Sequence, residues 1–278
     1  MKLSNNSLKS HKNKIEKHYS DNERFKREKY FYSKFKNKNC NIPKLLSITN
    51  KKILFKKYKF KKLNSQKIFF NALLDFLIKT NKEKKYDLYS KEYLRSYNSL
   101  FNEVQKRFLK ISKIKIEKKY SLKMKLIKSY IKKTLQESPS SAKLAKCKKI
   151  ISQSDIGFHN CSMQNNKVFF YDFEYAGLDH PIKLICDVYY QPEKKINKKY
   201  MLKFIEKLEK NFKFKIPKNL SVFEKLLKIK MMLIILNIFT ASNINIKSKI
   251  INKSKIKKLK LERINKAYKY IEIPFLYE

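Results

Sequence analysis

The chain has 278 residues, with 68 lysines and arginines against 23 aspartates and glutamates, a formal net charge of +45. A hydrophobic fraction of 42% supplies a core and excludes a disordered chain, and four cysteines without CxxC spacing or paired histidines exclude a zinc ribbon or a disulfide framework. Only five of the basic residues are arginine and the excess is spread along the whole chain, which points to AT-biased coding with lysine on solvated faces rather than to a nucleic-acid partner.

The N-terminus, MKLSNNSLKSHKNK, lacks the apolar run of a signal peptide, so a soluble, cytoplasmic protein is expected. Residues 14–19, KIEKHY, can form a strand, and 22–35 reads as a helix with aromatics along one face and Asp21 as its N-cap. Pro43 precedes two short strands, KLLSITN and KKILFKKYKF, about an Asn50-Lys51 turn, so residues 1–60 read as a small α+β lobe. From about Leu63 to Leu144 the pattern is helical, over 66–80, 92–111 and 120–135. A loop at 152–160 then leads to a strand pair, NCSMQ and KVFFYDF, joined at Asn165-Asn166. Pro181 opens a helix over 182–190, and the chain to about Tyr270 is again helical. Its most apolar run, MMLIILNIF at 231–239, is too short to span a bilayer and reads as a buried helix with no transmembrane role. The division expected is a nucleotide-binding lobe over 1–60 and a helical lobe over 61–278 that carries the hairpin.

Average usage would give roughly 7% glycine, yet this chain has two, Gly157 and Gly177, both next to the hairpin and among Asp, Asn and His. Backbone freedom in turns is the expected reason for keeping them. Phosphoryl transfer from ATP needs one carboxylate to orient the acceptor hydroxyl and take its proton. It also needs a carboxylate and an amide to hold magnesium on the phosphates. A loop-strand-turn-strand order can supply all three, because the hairpin returns the chain to its starting end. Asp155 and Asn160 lie five residues apart in SDIGFHN, and Asp172 ends the returning strand in FFYDFEYAG, twelve residues past Asn160.

The pattern D-x-x-x-x-N followed by a strand ending in D-F-E resembles the aminoglycoside phosphotransferase and choline kinase family, which has a two-lobed, α+β, protein-kinase-like fold. By this resemblance Asp155 is the catalytic base, and Asn160 and Asp172 are the magnesium ligands. Glu174 either touches the metal, directly or through water, or has a structural role. Gly157 and Gly177 support the loops. LDHPIKLICDV resembles the segment that follows in the family, with Asp187 as the buried aspartate bracing the catalytic loop. The resemblance extends to the N-terminus, where Lys17 would bind the α- and β-phosphates of ATP and Glu28 would pair with it. LSNNS, residues 3–7, stands in place of the phosphate-covering loop but has no glycine, so Ser4, Asn5, Asn6 and Ser7 would supply amides and side chains. FKKYKF, residues 55–60, takes the place of the nucleotide hinge. Two departures stand out: Gln153 occupies the place of a loop-supporting histidine, and His159 that of a small residue. A lone histidine there is expected to pack or hydrogen-bond rather than to catalyse. The resemblance implies a phosphotransferase using ATP and Mg2+ on a hydroxyl of a small molecule such as a sugar or an amino alcohol. The alternative is an inactive kinase-like protein that binds nucleic acid or an anionic surface.

Overall fold

The computed structural model describes residues 6–83, 85–216, 220–240 and 252–277. Its elements fall into two units, one from residues 1–93 and 147–216, the other from 94–146 and 217–278.

In the first unit, β1 (Ser7–Ser10), β2 (Lys14–His18), β3 (Leu45–Thr49) and β4 (Lys52–Lys56) form an antiparallel sheet in the order β1-β2-β4-β3. Lys17 is opposite Ile53, and Ile15 opposite Phe55, so a lysine shares the sheet's buried face with apolar residues. Helix α1 (Asn22–Phe35) starts at Asp21, whose side chain accepts from the amides of Glu23 (2.9 Å) and Arg24 (3.3 Å). Its buried stripe of Phe25, Glu28, Phe31, Tyr32 and Phe35 follows helical spacing, with one carboxylate among the rings. Phe31 stacks on Phe173 with ring centroids 3.9 Å apart, and Phe76 of α2 (Gln66–Thr80) meets Phe170 at 4.8 Å. These contacts fix the region around Asp172 against both helices.

The hairpin of β6 (Cys161–Gln164) and β7 (Lys167–Phe170) closes through Asn165 and Asn166, both left-handed, as a two-residue turn requires. Beside it β5 (Ile150–Ser152) pairs antiparallel with β8 (Gly177–Asp179). Helices α5 (Pro181–Tyr189) and α6 (Lys198–Phe212) follow, and α6 packs on α2. Strands β1, β5 and β8 go beyond the sequence reading, because runs of three or four residues carry too little alternation to be seen.

The two glycines are kept for space rather than for backbone freedom, since neither has a positive φ. A Cβ on Gly177 would lie 2.2 Å from the Ser90 amide nitrogen and 2.4 Å from the Tyr89 carbonyl carbon. There β8 runs alongside residues 88–90, with Leu178 donating to the Leu88 carbonyl and Ser90 donating back to Leu178. The left-handed positions are instead taken by Lys51, Ser154, Asn165, Asn166, Asp172 and Lys213.

The second unit contains α3 (Tyr97–Ser112), α4 (Lys118–Gln136), α7 (Leu220–Leu236) and α8 (Lys253–Lys269). The helical pattern read from Glu92 begins at Tyr97, because the Ser96 hydroxyl caps the Ser99 amide at 3.1 Å. Helix α7 packs on α3 and α8, and α8 also on α4. The buried Lys228 of α7 donates to the Ile273 carbonyl at 2.7 Å, and Lys230 pairs with Glu103 at 3.0 Å. Among the described residues no helix is long and apolar enough to cross a membrane.

Candidate active site

The catalytic-loop candidate leaves β5 through Ser154, a left-handed residue (φ 63°) whose amide donates to Ser152 Oγ at 2.9 Å. Asp155 follows with its side chain 44% exposed, so it is open to solvent. One of its carboxylate oxygens lies 3.0 Å from His159 Nε2 and the other accepts from Asn160 Nδ2 at 3.0 Å. The same amide donates to the Asp155 carbonyl at 2.7 Å, closing the loop on itself. The Tyr171 amide donates to the Asn160 carbonyl at 3.1 Å, so the hairpin brings Asp172 back to the end of that loop.

The loop rests on a buried lysine. Lys183 Nζ of α5 donates to Ser154 Oγ at 2.9 Å and pairs with Asp179 at 3.1 Å and with Asp187. Burial would lower the Lys183 ammonium, but the two carboxylates more than offset that and hold it above the ordinary lysine range. Asp179 also accepts from Ser90 and Ser154. Gln153, fully buried, donates its amide to the Tyr171 carbonyl and thereby ties the loop to the end of β7.

A second cluster gathers around Lys17. Its Nζ lies 2.6 Å from Glu28 Oε2, 2.6 Å from Asp172 Oδ1 and 3.4 Å from Glu174 Oε2. Here too burial would lower the ammonium, and Glu28, Asp172 and Glu174 override it and raise it above the ordinary range. Glu28 is held further by the Tyr19 hydroxyl (2.6 Å) and the Phe173 amide (3.3 Å). Glu174 receives Arg24 at 3.0 Å and the Asn6 side-chain amide. Burial raises the Glu174 carboxyl above the usual range; Asp172 and Glu28 add to the rise, while Lys17 and Arg24 oppose it. Asp172 itself adopts φ 70°, a strained backbone for a residue with a Cβ and of the kind found at functional sites.

The structure thus gathers Lys17, Glu28, Asp172, Glu174 and Asn6 in one cluster and Asp155 and Asn160 in the other. Ser4 and Asn5 lie outside the described residues. Asp187 is half-buried and meets the loop's support through Lys183, and Gly157 lies against the His159 ring. Glu28, Asp172 and Glu174 each place a carboxylate oxygen within 4.8 Å of the others. This all-oxygen, largely buried donor set fits magnesium, a hard cation that takes oxygen ligands. Arg24, Tyr19, Asp179 and Lys183 were missed by sequence reasoning. Arg24 could have been flagged as one of five arginines in a lysine-rich chain, and Lys183 by aspartates four residues away on both sides.

No family model matches the sequence, and neither does any curated protein. Solved structures do match over nearly the full length. A choline/ethanolamine kinase family protein from Mesorhizobium loti aligns with a TM-score of 0.56 over 97% of this chain and 86% of its own, at 10% identity. Choline kinase LicA from Streptococcus pneumoniae gives 0.55 over 96% and 91%, at 12% identity. The gentamicin complex of aminoglycoside phosphotransferase APH(2")-IIa gives 0.54 over 98% and 89%, also at 12% identity. The chain has their fold. It is the protein-kinase-like α+β fold expected from the sequence, with a small sheet-bearing N-terminal region and a mainly helical C-terminal region.

Proposed function

We propose that the chain is a magnesium- and ATP-dependent phosphotransferase that acts on a hydroxyl of a small molecule. The observation that carries this reading is the Lys17–Glu28–Asp172 contact, which unites three segments distant in sequence, together with the hairpin that ends Asp172 beside the Asp155–Asn160 loop. Residues 1–60 serve as the nucleotide-binding lobe and 61–278 as the lobe with the acceptor and catalytic groups. Lys17, steered by Glu28, neutralises phosphate oxygens of the nucleotide, and Asn6 contributes from the covering loop. Asp172, Glu174 and Asn160 would hold magnesium, with Glu28 at the same cluster. When bound, the ion offsets the charge that builds on the phosphates. Asp155 accepts the proton of the acceptor hydroxyl and orients its oxygen for in-line attack. Sugars and amino alcohols are the acceptor classes proposed, in keeping with the choline kinases among the solved structures of like fold.

Calorimetry of ATP binding with and without magnesium tests this, on the wild type and on Asp172→Ala. Binding that needs both magnesium and Asp172 is expected, with Asp155→Asn keeping nucleotide binding but losing transfer. ATP binding indifferent to magnesium and to Asp172 would overturn the assignment.

A further inference from the structure

The contacts of His159 go beyond packing. Its Nε2 lies 3.0 Å from Asp155 Oδ1, and its Nδ1 is buried with no hydrogen-bond partner among the described residues. An ionised carboxylate only accepts, so the proton of this contact sits on Nε2. A proton on Nδ1 would be a buried donor with nothing to receive it, so the ring is set in the tautomer that serves Asp155.

Gly157 explains how the ring is seated. A Cβ at that position would stand 2.7 Å from both Cε1 and Nδ1 of His159 and 3.0 Å from the Gln191 Cβ. The extended backbone at Gly157 (φ 174°) suits any residue, so the glycine serves to admit the imidazole. One of the chain's two glycines is therefore spent on bringing a histidine within reach of the proposed base. Asn160 holds the other carboxylate oxygen at 3.0 Å, so the Asp155 carboxylate is gripped at both oxygens while its exposed side faces outward.

We propose that His159 is a positioning residue. It donates from Nε2 to Asp155 Oδ1 and, with Asn160, fixes the plane of the carboxylate for its meeting with the acceptor hydroxyl. Gly157 is the socket that allows this. The inference rests on the phosphotransferase reading, in which Asp155 is the base.

Two readouts test it: phosphate release from magnesium-ATP with water as acceptor, and 15N spectra of the imidazoles. In His159→Ala, kcat should fall about tenfold, the scale of one hydrogen bond to a charged group, with KM for magnesium-ATP nearly unchanged. His159→Gln, which returns an N–H donor at similar reach, should recover most of the loss. The His159 signals should show a protonated Nε2 and a bare Nδ1, and should move in both Asp155→Ala and Gly157→Ala. Wild-type kcat in His159→Ala while Asp155→Asn is inactive would overturn the inference and leave the kinase reading intact. Unmoved ring signals in Asp155→Ala, or equal losses in His159→Ala and His159→Gln, would overturn it too. Wild-type phosphate release in Asp155→Asn would instead overturn the kinase reading itself.

Discussion

Lys17 and Lys183 lie in the same unit, and both are buried among carboxylates. The Lys17 side chain is 9% exposed and one of its partners, Asp172, is 20% exposed, so the cluster opens outward. Lys183 is 2% exposed and its partner Asp179 is 1% exposed. Their other neighbours differ in kind. Around Lys17 there are three carboxylates, one of them also paired with Arg24, and a strained backbone, which leaves one negative charge that a further cation can join. Around Lys183 the deeply buried Asp179 also accepts from two serine hydroxyls and the His180 amide, and the half-buried Asp187 is 15% exposed, so the network turns mainly inward. The same pair of chemical groups therefore does two jobs. Where water and ligand have access, it makes a site; where they do not, it makes a brace.

The comparison breaks most sharply at the brace. Lys183→Met leaves two carboxylates without their cation and should destabilise the fold by about 3–5 kcal/mol in chemical denaturation. Added magnesium should not restore it. The Lys183 ammonium is held above the ordinary lysine value of about 10.4, so its contribution is fully present below that pH and lost only as the pH rises through the higher folded value. The deficit measured against wild type should thus be the same at pH 7 and pH 9. Lys17→Met should lower phosphate transfer about 100-fold. Its thermal midpoint, reduced by three facing carboxylates, should recover as magnesium is titrated in. A magnesium-dependent recovery in Lys183→Met but not in Lys17→Met would reverse the two assignments.

Smaller effects sharpen the picture. Gly177→Ala forces a methyl against backbone and should cost about 1–3 kcal/mol, by the scale of overpacked sites. Gly157→Ala meets mainly the His159 ring, so its stability loss should be the lesser of the two. At the far end, the Lys79–Asp75 pair at 2.8 Å, with Asp75 exposed and Lys79 partly so, is the control for charge with little burial. A double-mutant cycle there should give about 0.3–0.5 kcal/mol, a value that salt erodes.

Much of the candidate site's geometry could be read from the sequence because its signals are local. The spacing from Asp155 to Asn160, the Asn165-Asn166 turn and the DFE triplet each fall within a short window, and the hairpin forms as that pattern implies. Helix α1 was equally legible through Asp21 and its aromatic stripe. The pairing of β5 with β8 was not, since three residues at 150–152 find their partners 25 residues on or more. Lys183 and Arg24 were hidden for another reason. In a chain with 68 basic residues one cation looks like its neighbours, and only tertiary packing shows which ones lie against acids. The glycines drew attention to the candidate site on a mistaken premise. Their local conformation is ordinary, and what requires them is the approach of chain segments and a side chain that no local pattern reveals.

The left-handed backbone of Asp172 has a meaning in the language of codons. An aspartate codon becomes a glycine codon by a single base change, and glycine would take φ 70° without strain. Glycine there would relieve the chain of about 1 kcal/mol or more. What glycine would give up in exchange is a side chain. At Asp172 that side chain is the carboxylate that meets Lys17.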